Sequence, residues 1–467
     1  MRYTDEKPRE ECGVFGVWST GHESAAQRIY YGLTALQHRG QEAAGIAVCD
    51  TWGEKDNLCL YKRPGLVSEV FDASVLRTLE GNIGIGHVRY STTGDGRQEN
   101  LQPMAFHYVK GTLALVHNGN LVNGQDLRRE LMARGGVLQG TSDSEAAACL
   151  IARERASCGS VEEAVQRAAP QLLGGYAFII MSPRKLVAVR DPQGLKPLCL
   201  GQTEDGWVVA SESCAVTACG ARFVRDIEPG EILTIGRDGL KSAPLSGAKR
   251  RAHCIFEYIY FARLDSQLDG VSVYGARFRG GQALAEAWPV EADLVTGVPE
   301  SGLTAAAGYA DRAGIPFVQA FHKNSYIGRT FIKPTQAERE NAVHMKLSVL
   351  TDAVKGKRVV LIDDSIVRGT TITGLIRMLR EAGAREVHVR ISSPPFLYPC
   401  YYGTDVADTK QLIADRFSVE EIRQRIGADS LGYMRLADLP RMTGELPLCS
   451  ACFDGNYPTA VERMIEK

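Results

Sequence analysis

VVLIDDSIVRGTT, residues 359–371, is the stretch of this 467-residue sequence that decides the fold. Its apolar start predicts a buried strand, which brings Asp363 and Asp364 to the edge of a sheet. Two adjacent carboxylates in that place repel each other and become favourable only when they bind sugar hydroxyls or Mg²⁺. Gly369, Thr370 and Thr371 precede a helix, so their N–H groups and hydroxyls can hold a phosphate at its positive end. The stretch therefore predicts a loop that binds a phosphorylated ribose.

The chain around this loop has the order strand, loop, helix, strand. DLVTGVP, from Asp293, predicts a strand that ends in a loop, and REVHVRISSPP predicts another strand. The helix between the loop and the second strand carries apolar residues on one face, at Ile372, Leu375, Ile376 and Leu379. Gly383 stands where a helix C-cap is expected. This order predicts a doubly wound parallel sheet with ligands at the carboxyl ends of its strands.

Two further segments of this half have features of a polyanion site. GVPESGLTAAAGYA places Ser301 between a strand and a helix, where its hydroxyl can face Mg²⁺, although a plain N-cap serine has the same pattern. HKNSYIGRTFIKPTQAERENAVHMK is basic and contains glycine. It predicts a mobile lid that brings Lys323, Arg329 and Lys346 toward a polyanion, with a solvated loop as the alternative.

The first half of the chain alternates helical stretches with short β-like runs such as CGVFGVW, GIGHVRY and LALVHN. Ser142 and Glu145 have the spacing of a capping box, so a helix is predicted to start there. These patterns predict a mixed α/β domain that closes near IEPGEILTIG, residues 227–236. The following RDGLKSAPLSGAKR is polar and contains proline and glycine, which indicates a linker or surface excursion.

Cys12 opens the first β-like run, after eleven mostly polar residues. An internal thiol in such a place is commonly a core residue. If the preceding peptide were removed, the α-amine of Cys12, with a pKa near 8, could take the thiol proton. Nucleophile and base would then be one residue, as in N-terminal nucleophile enzymes.

Four other residues of this half suit the hydrolysis of an amino-acid amide. Arg89 in GHVRYST can clamp a carboxylate, and Asp143 in GTSDSE can hold an α-ammonium group. Asn118 and Gly119 in VHNGNL can form an oxyanion hole from a side-chain amide and a backbone N–H. In this order after CGVFGV, they resemble the class II, N-terminal nucleophile, glutamine amidotransferase domains.

The last part of the chain carries CSAC, with Cys449 and Cys452. Cys400 in YPCYYG and Cys254 in HCIFEYIYFARLDS are the plausible remote partners. Four thiolates can hold zinc or a [4Fe–4S] cluster, and the spacing does not decide between these groups or unliganded thiols.

Composition excludes several classes of function. The chain has 54 Lys and Arg against 55 Asp and Glu, a net charge of −1, which argues against nucleic acid or a membrane surface as partner. It shows no apolar run of about 18 residues, and its charged start lacks the apolar core of a secretory signal. The twelve cysteines are therefore expected to be reduced thiols, metal ligands or a nucleophile in the cytoplasm.

Over nearly its whole length the sequence resembles the glutamine phosphoribosylpyrophosphate (PRPP) amidotransferases. The resemblance is strongest at CGVFG, LQHRGQEAAGI, GHVRYST, HNGN, FEYIYFAR, GRTF, DDSIVRGTT and SSPP. It implies an α/β protein with a four-layer (αββα) N-terminal nucleophile glutaminase domain, followed by a doubly wound type I phosphoribosyltransferase domain. The implied bounds are 1–11 for a propeptide, 12–240 for the glutaminase, and 250–467 for the phosphoribosyltransferase with its cysteine segment.

The same resemblance implies a role for each matched residue. Cys12 would be the nucleophile, and glutamine and PRPP the substrates. Mg²⁺, one per subunit, would bind Ser301, Asp363 and Asp364, and the acid pair would also hold ribose hydroxyls. The PRPP phosphates would contact the loop and lid residues Ser365, Arg368, Gly369, Thr370, Thr371, Lys323, Arg329 and Lys346.

The propeptide-bearing branch of the family further implies one [4Fe–4S] cluster per subunit. Its ligands would be Cys254, Cys400, Cys449 and Cys452. That branch also implies a homotetramer and feedback inhibition by the purine nucleotides AMP, ADP, GMP and GDP.

The sequence departs from the family pattern at four positions. Leu264 replaces the usual proline and Glu300 the usual aspartate. Ser325 stands where arginine is usual, and His344 lies near a usually basic position. Because Ser325 and His344 lie in the predicted lid, they put PRPP affinity or nucleotide regulation in question without touching the acid pair or the nucleophile.

Two alternatives belong to other classes of protein. A different class II amidotransferase would carry a sugar-isomerase domain or an SGGxDS pyrophosphatase loop, and neither follows the first half. A PRPP-binding regulator such as a purine repressor would need a DNA-binding module and a basic face. The near-zero net charge and the complete glutaminase set argue against that regulator.

Overall fold

The computed structural model describes residues 12–21, 24–51, 58–90, 97–245, 250–324, 347–404 and 412–461. The predicted propeptide 1–11 and the lid residues Ser325, Arg329, His344 and Lys346 lie outside these ranges. Within them, no helix is long and apolar enough to cross a membrane.

Two antiparallel sheets form the described part of the first half. One has the strand order β11-β9-β10-β1-β4-β2-β3 and the other β13-β12-β8-β7-β6-β5. The strands of the first sheet are β1 Gly13–Ser19, β2 Ala43–Cys49, β3 Cys59–Pro64, β4 Ile83–Arg89, β9 Cys199–Gln202, β10 Gly206–Ala210 and β11 Arg222–Asp226. The strands of the second are β5 Met104–Tyr108, β6 Gly111–Leu121, β7 Gly174–Ser182, β8 Lys185–Arg190, β12 Glu231–Gly236 and β13 Gly239–Pro244.

Helices cover the outer faces of both sheets, which gives the predicted four layers. The helices are α1 Ala25–Ala35, α2 Val67–Val70, α3 Ala73–Thr78, α4 Gly124–Ala133, α5 Asp143–Ser157, α6 Val161–Ala168 and α7 Ser213–Ala218. Successive residues of β1 show the layering, because Val14 packs into the core between the sheets and Phe15 into the core under α1. Burial on both faces explains why these strands are apolar runs rather than alternating ones.

Two local predictions differ from the structure. The segment after residue 236 is predicted to be a linker or a surface excursion, but Gly239–Pro244 pairs with β12 as an edge strand, whose exposed side chains explain its polar composition. Ser142 does cap α5 by accepting from the Glu145 N–H at 3.3 Å. However, the Glu145 carboxylate accepts from the N–H groups of Gln139 and Gly140 instead of completing the capping box.

The second half contains a parallel sheet with the order β17-β20-β21-β22. These strands are β17 Leu294–Gly297, β20 Arg358–Asp363, β21 Glu386–Ile391 and β22 Ser430–Tyr433. Val360 and Ile362 of β20 face the core that contains helices Val273–Ala287 and Leu303–Ala313. Val359 and Leu361 face the opposite core, under helices Thr370–Glu381 and Val419–Ile426. Helices on both faces make the sheet doubly wound, as the sequence predicts.

The helix after the acid pair also matches its prediction. Its buried face contains Ile372, Leu375, Ile376, Met378 and Leu379, and Gly383 follows its C-cap with a φ of +90°.

Short elements complete this half. The two-stranded ladders are β14 His253–Cys254 with β23 Leu448–Cys449, β15 Gln267–Leu268 with β16 Val271–Ser272, and β18 Phe321–Lys323 with β19 Leu347–Val349. The remaining helices are Glu257–Phe261, a π-helix, and Thr351–Val354, Ile413–Arg416, Leu439–Thr443 and Ala451–Asp454. Among the described residues, 3₁₀ turns span Gln98–Asn100 and Ala169–Gln171 in the first half and Leu436–Asp438 in the second.

Candidate active sites

Cys12 lies immediately before β1, and its thiol donates to the Tyr90 carbonyl at 3.4 Å. Its own carbonyl accepts from Arg39 Nε at 3.1 Å. Tyr90 directly follows Arg89, the last residue of β4, which pairs antiparallel with β1. The pairing of β1 with β4 therefore places the thiol at the Tyr90 carbonyl, one residue beyond the buried Arg89.

The predicted oxyanion residues lie in β6 of the facing sheet. Asn118 is fully buried, and within the described residues neither its side-chain oxygen nor its nitrogen has a hydrogen-bond partner. Such an unsatisfied amide is costly unless a ligand completes it. Gly119 has a φ of +136°, and a Cβ there would lie 2.1 Å from the Gly175 carbonyl oxygen. Only glycine therefore fits next to Asn118.

Asp143, at the start of α5, is held against the end of β6. Its two carboxylate oxygens accept from the backbone N–H groups of Leu121 and Ser144, each at 2.8 Å. The Ser144 hydroxyl lies 2.9 Å from His117 Nδ1. These bonds fix the position of Asp143 relative to Asn118 and Gly119.

Two buried histidines that the sequence analysis did not single out support this region. His87 Nε2 lies 3.2 Å from the His117 carbonyl oxygen and so connects β4 to β6 across the two sheets. Burial lowers the pKa of His87 to about 3 and that of His117 to about 4, so both rings are neutral at physiological pH. Gln102 accepts from the His117 N–H at 2.6 Å. The only sequence signal for the two histidines is that they stand within two residues of predicted site residues.

The acid pair lies at the carboxyl end of β20 and is almost fully buried. Asp363 accepts from the Ser301 hydroxyl at 3.3 Å, and Asp364 from the Ser365 hydroxyl at 2.6 Å. Burial lowers the pKa of the nearby Arg277 to about 10, while the Asp364 charge opposes that effect. Arg277 therefore remains a cation at neutral pH and offsets part of the acid pair's charge.

The residues predicted to bind the phosphate directly follow the acid pair. Gly369 has a φ of +90° and stands at the N-cap of helix Thr370–Glu381, where the exposed Thr370 and Thr371 form the first turn. A small pocket at this turn is lined by Asp363, Ser365, Ile366, Val367, Gly369, Thr371 and Ile372. Arg368, next to it, is half-buried.

Of the three predicted lid cations, only Lys323 lies within the described residues. It ends β18, and its ammonium group pairs with Glu300 at 2.9 Å. Glu300 adjoins Ser301, so this pair connects the end of β18 to the Ser301 loop.

The four predicted metal cysteines line one pocket, together with Phe256, Phe396, Tyr402 and Lys196. Cys254 and Cys449 are register partners in the β14–β23 ladder. Burial, together with the neighbouring Cys400, Cys254 and Cys449 thiols, raises the pKa of Cys452 well above its usual value. Among the described side chains, no three His, Cys, Asp or Glu are grouped so as to hold a single metal ion.

Two family models match the chain, one in each half. Residues 87–218 match the glutamine amidotransferase domain, and residues 283–392 match the phosphoribosyl transferase domain. Together with the fold, these matches define a class: phosphoribosyltransferases fused to a class II glutaminase.

Curated relatives identify the family within this class. The amidophosphoribosyltransferase of Bacillus subtilis is 49% identical over 459 residues, covering 97% of this chain and 95% of the relative. The amidophosphoribosyltransferase of Methanocaldococcus jannaschii is 48% identical, and the match covers 96% of this chain and 98% of the relative. The chain belongs to the amidophosphoribosyltransferase family.

Solved structures agree with this assignment. The B. subtilis glutamine PRPP amidotransferase complexed with ADP and GMP has a TM-score of 0.89 at 47% identity, covering 97% of this chain and 98% of that one. A structure described as the allosteric regulatory enzyme of purine biosynthesis has a TM-score of 0.90 at 48% identity, covering 97% of each chain. The predicted family and fold class are confirmed, and the chain's activity is glutamine-dependent amidotransfer to PRPP in purine biosynthesis.

Proposed function

We propose that Cys12 releases ammonia from glutamine, and that the ammonia is channelled to C1 of PRPP to give 5-phosphoribosylamine, glutamate and pyrophosphate. The observation that carries this proposal is the buried Asn118 amide, which lacks a hydrogen-bond partner among the described residues. A tetrahedral oxyanion supplies the missing partner for its N–H.

The glutaminase steps follow from the chemistry of these residues. Once residues 1–11 are removed, the Cys12 α-amine takes the thiol proton, and the thiolate attacks the glutamine amide carbon. Asn118 and Gly119 stabilise the oxyanion, and its collapse forms a thioester and releases ammonia. Arg89 holds the substrate carboxylate and Asp143 its ammonium group. Water then hydrolyses the thioester to glutamate.

Ammonia must reach the second site before bulk water protonates it, so a closed path between the sites is expected when PRPP is bound. Asp363 and Asp364 bind the ribose hydroxyls, while Ser365, Arg368, Gly369, Thr370 and Thr371 bind the 5-phosphate. Lys323, Arg329 and Lys346 would supply positive charge for the pyrophosphate. Ammonia displaces pyrophosphate from C1.

Ser301, Asp363 and Asp364 offer the hard oxygen ligands that Mg²⁺ prefers, with substrate phosphates completing the set. When bound, Mg²⁺ neutralises charge on the leaving pyrophosphate. Because two carboxylates and a hydroxyl are few ligands for one ion, these residues would hold Mg²⁺ more tightly when PRPP is bound.

The cysteine pocket suits a [4Fe–4S] cluster held by Cys254, Cys400, Cys449 and Cys452. A single zinc ion would require four sulfurs about 4 Å apart. A cluster holds its thiolates farther apart, around an enclosed space. The four thiols line one mostly apolar cavity, which suits such a space. Such a cluster would act as a structural cross-link between distant parts of the chain.

Regulation and assembly are proposed by analogy. The B. subtilis relative was solved with ADP and GMP. We propose that purine nucleotides of this kind, including AMP and GDP, inhibit this enzyme, that it forms a homotetramer and that it acts in the cytoplasm.

The test compares nitrogen sources in a PRPP-dependent assay. Cys12→Ala should abolish glutamine-dependent synthesis and keep ammonia-dependent synthesis. Cys59→Ala, at another half-buried cysteine in the same domain, serves as the matched control and should keep both. If Cys12→Ala still used glutamine, the nucleophile assignment would be wrong.

A further inference from the structure

The end of β6 is joined to a loop from the other half of the chain, residues 400–404. Asn120 Nδ2 donates to the Tyr401 carbonyl oxygen at 2.9 Å, across 281 residues of sequence. Asn120 is buried and directly follows Gly119. This bond therefore joins the backbone beside the oxyanion residues to the phosphoribosyltransferase half.

Backbone packing reinforces that bond. Gly403 has a φ of +127°, and a Cβ on it would lie 3.5 Å from the carbonyl carbon of Gly119 and 3.1 Å from Lys196 Nζ. Gly175 is the register partner of Asn120, and a Cβ on it would lie 3.4 Å from Tyr402 Cβ. Glycines at these positions allow the loop to lie directly against β6 and β7.

The far side of the loop is itself anchored. The Tyr402 hydroxyl lies 2.9 Å from the hydroxyl of Thr459, outside the loop, and within the loop the Tyr402 N–H donates to Cys400 Sγ at 3.4 Å. Tyr402 also lines the cysteine pocket. A loop that is fixed on this side can resist movement of β6 on the other.

We propose that Asn120 is a positioning residue for glutamine hydrolysis: through Tyr401 it fixes the backbone at Gly119, and with it the oxyanion hole. The proposal rests on the roles proposed above for Asn118 and Gly119. Oxyanion donors act only where charge develops in the transition state, and a displacement of about 1 Å can cost about 100-fold in rate. Loss of the Asn120 bond should therefore lower kcat and leave ground-state binding of glutamine unchanged.

The experiment uses Asn120→Ala in the full chain. Its matched control is Asn123→Ala, because Asn123 Nδ2 also donates to a carbonyl, that of Gln171 at 2.8 Å, but within the glutaminase half. For each variant we would measure kcat and KM for glutamine hydrolysis and the rate of ammonia-dependent synthesis. We would also measure inhibition by glutamate and by the aldehyde analogue of glutamine. Glutamate needs no oxyanion hole, whereas the aldehyde analogue of glutamine forms a tetrahedral thiohemiacetal that does.

We expect kcat for glutamine to fall roughly 10- to 100-fold in Asn120→Ala, with a parallel loss of aldehyde affinity. The KM, glutamate inhibition and ammonia-dependent rate should stay within about twofold, as should every quantity in Asn123→Ala. An unchanged kcat would overturn the proposal. Equal losses for glutamate and aldehyde, or a fall in ammonia-dependent synthesis, would also overturn it by showing general damage.

Gly403→Ala tests the same contact from the loop and keeps the proposal testable if Asn120→Ala does not fold. It should lower kcat for glutamine in the same selective way, and an unchanged kcat in folded Gly403→Ala would count against the proposal. Failure of the proposed function looks different, because the wild-type chain would then have no glutaminase activity that depends on Cys12.

Discussion

Arg39 and Glu257 form a buried ion pair with two hydrogen bonds that joins the two halves of the chain. Arg39 Nη1 lies 2.9 Å from Glu257 Oε2, and Nη2 lies 2.6 Å from Oε1. The same guanidinium donates to the Cys12 carbonyl and to Glu212. Burial acts to raise the pKa of Glu212, but His38 and Arg39 outweigh it and hold that pKa well below its usual value. One buried cation thus connects Cys12, the proposed nucleophile, to the π-helix of the second half.

Glu257→Gln should destabilise the protein strongly. It removes one of the two carboxylates that compensate a guanidinium with no solvent exposure. Breaking a buried pair by neutralising one partner costs about 3–5 kcal/mol. We expect a loss of about 3 kcal/mol, since Glu212 remains, measured as the free energy of unfolding by denaturant at pH 7.

Glu228→Gln is the control, because the Glu228–Arg251 pair has side chains that are 63% and 59% exposed. Exposed pairs contribute about 0–1 kcal/mol, so this variant should be close to wild type. Equal effects of the two substitutions would contradict the importance given to the buried pair.

Asp226 predicts a pH dependence of stability. It ends β11 near Asp269, and its carboxylate accepts from the Gly270 N–H at 3.2 Å. Burial, and then the Asp269 charge, raises the pKa of Asp226 from 3.8 to about 6. The folded state therefore binds this proton more tightly than the unfolded state does. Protonated Asp226 therefore stabilises the folded state fully below about pH 4, and this stabilisation is lost as the pH rises through about 6. The free energy of unfolding should fall by at most about 3 kcal/mol over this range.

Asp226→Asn should remove this dependence. Between pH 4.5 and 6.5, denaturant unfolding of wild type should lose stability relative to the variant. Asp238→Asn, on the exposed β12–β13 turn, should follow wild type, since hydrogen bonding to Lys241 lowers the Asp238 pKa further below this range. Parallel curves for wild type and Asp226→Asn would show that Asp226 does not titrate there.

Neutralising the acid pair, Asp363 and Asp364, should abolish synthesis from either nitrogen source. The double variant Asp363→Asn, Asp364→Asn loses the carboxylates proposed to hold ribose and Mg²⁺, so ammonia-dependent and glutamine-dependent rates should both fall more than about 100-fold. The control is Asp293→Asn, because Asp293 precedes β17 at the opposite end of the sheet. This variant should keep both rates. Ammonia-dependent turnover retained in the double variant would refute the role of the acid pair.

Local sequence patterns predicted much of the structure. The helix face from Ile372 to Leu379 and the end of that helix at Gly383 follow from periodicity and glycine conformation. The acid pair lies at the sheet edge because a buried apolar strand ends there. Each of these features depends on residues close in sequence, which is why one segment was enough to predict it.

Contacts between distant segments were not predictable in this way. The bond between His87 and the His117 carbonyl depends on how two sheets stack, and the bond from Asn120 to Tyr401 crosses 281 residues. The Glu145 carboxylate had a good local partner in the Ser142 N–H, yet it accepts from the loop at Gln139. The packing of distant segments therefore determined which of two possible N–H donors Glu145 binds, and the sequence alone did not distinguish them.

The cysteine pocket predicts bound iron in protein purified without oxygen. Burial raises the pKa of Cys449 to about 12, so its thiolate is unfavourable unless a cation compensates it. We expect visible absorbance of an iron–sulfur cluster, with about four iron and four sulfide per chain. Cys449→Ser and Cys400→Ser should each remove most of the iron, whereas Cys158→Ser, a buried cysteine outside the pocket, should retain it. Zinc without iron in wild type would contradict the cluster and assign a single ion to these four thiols instead.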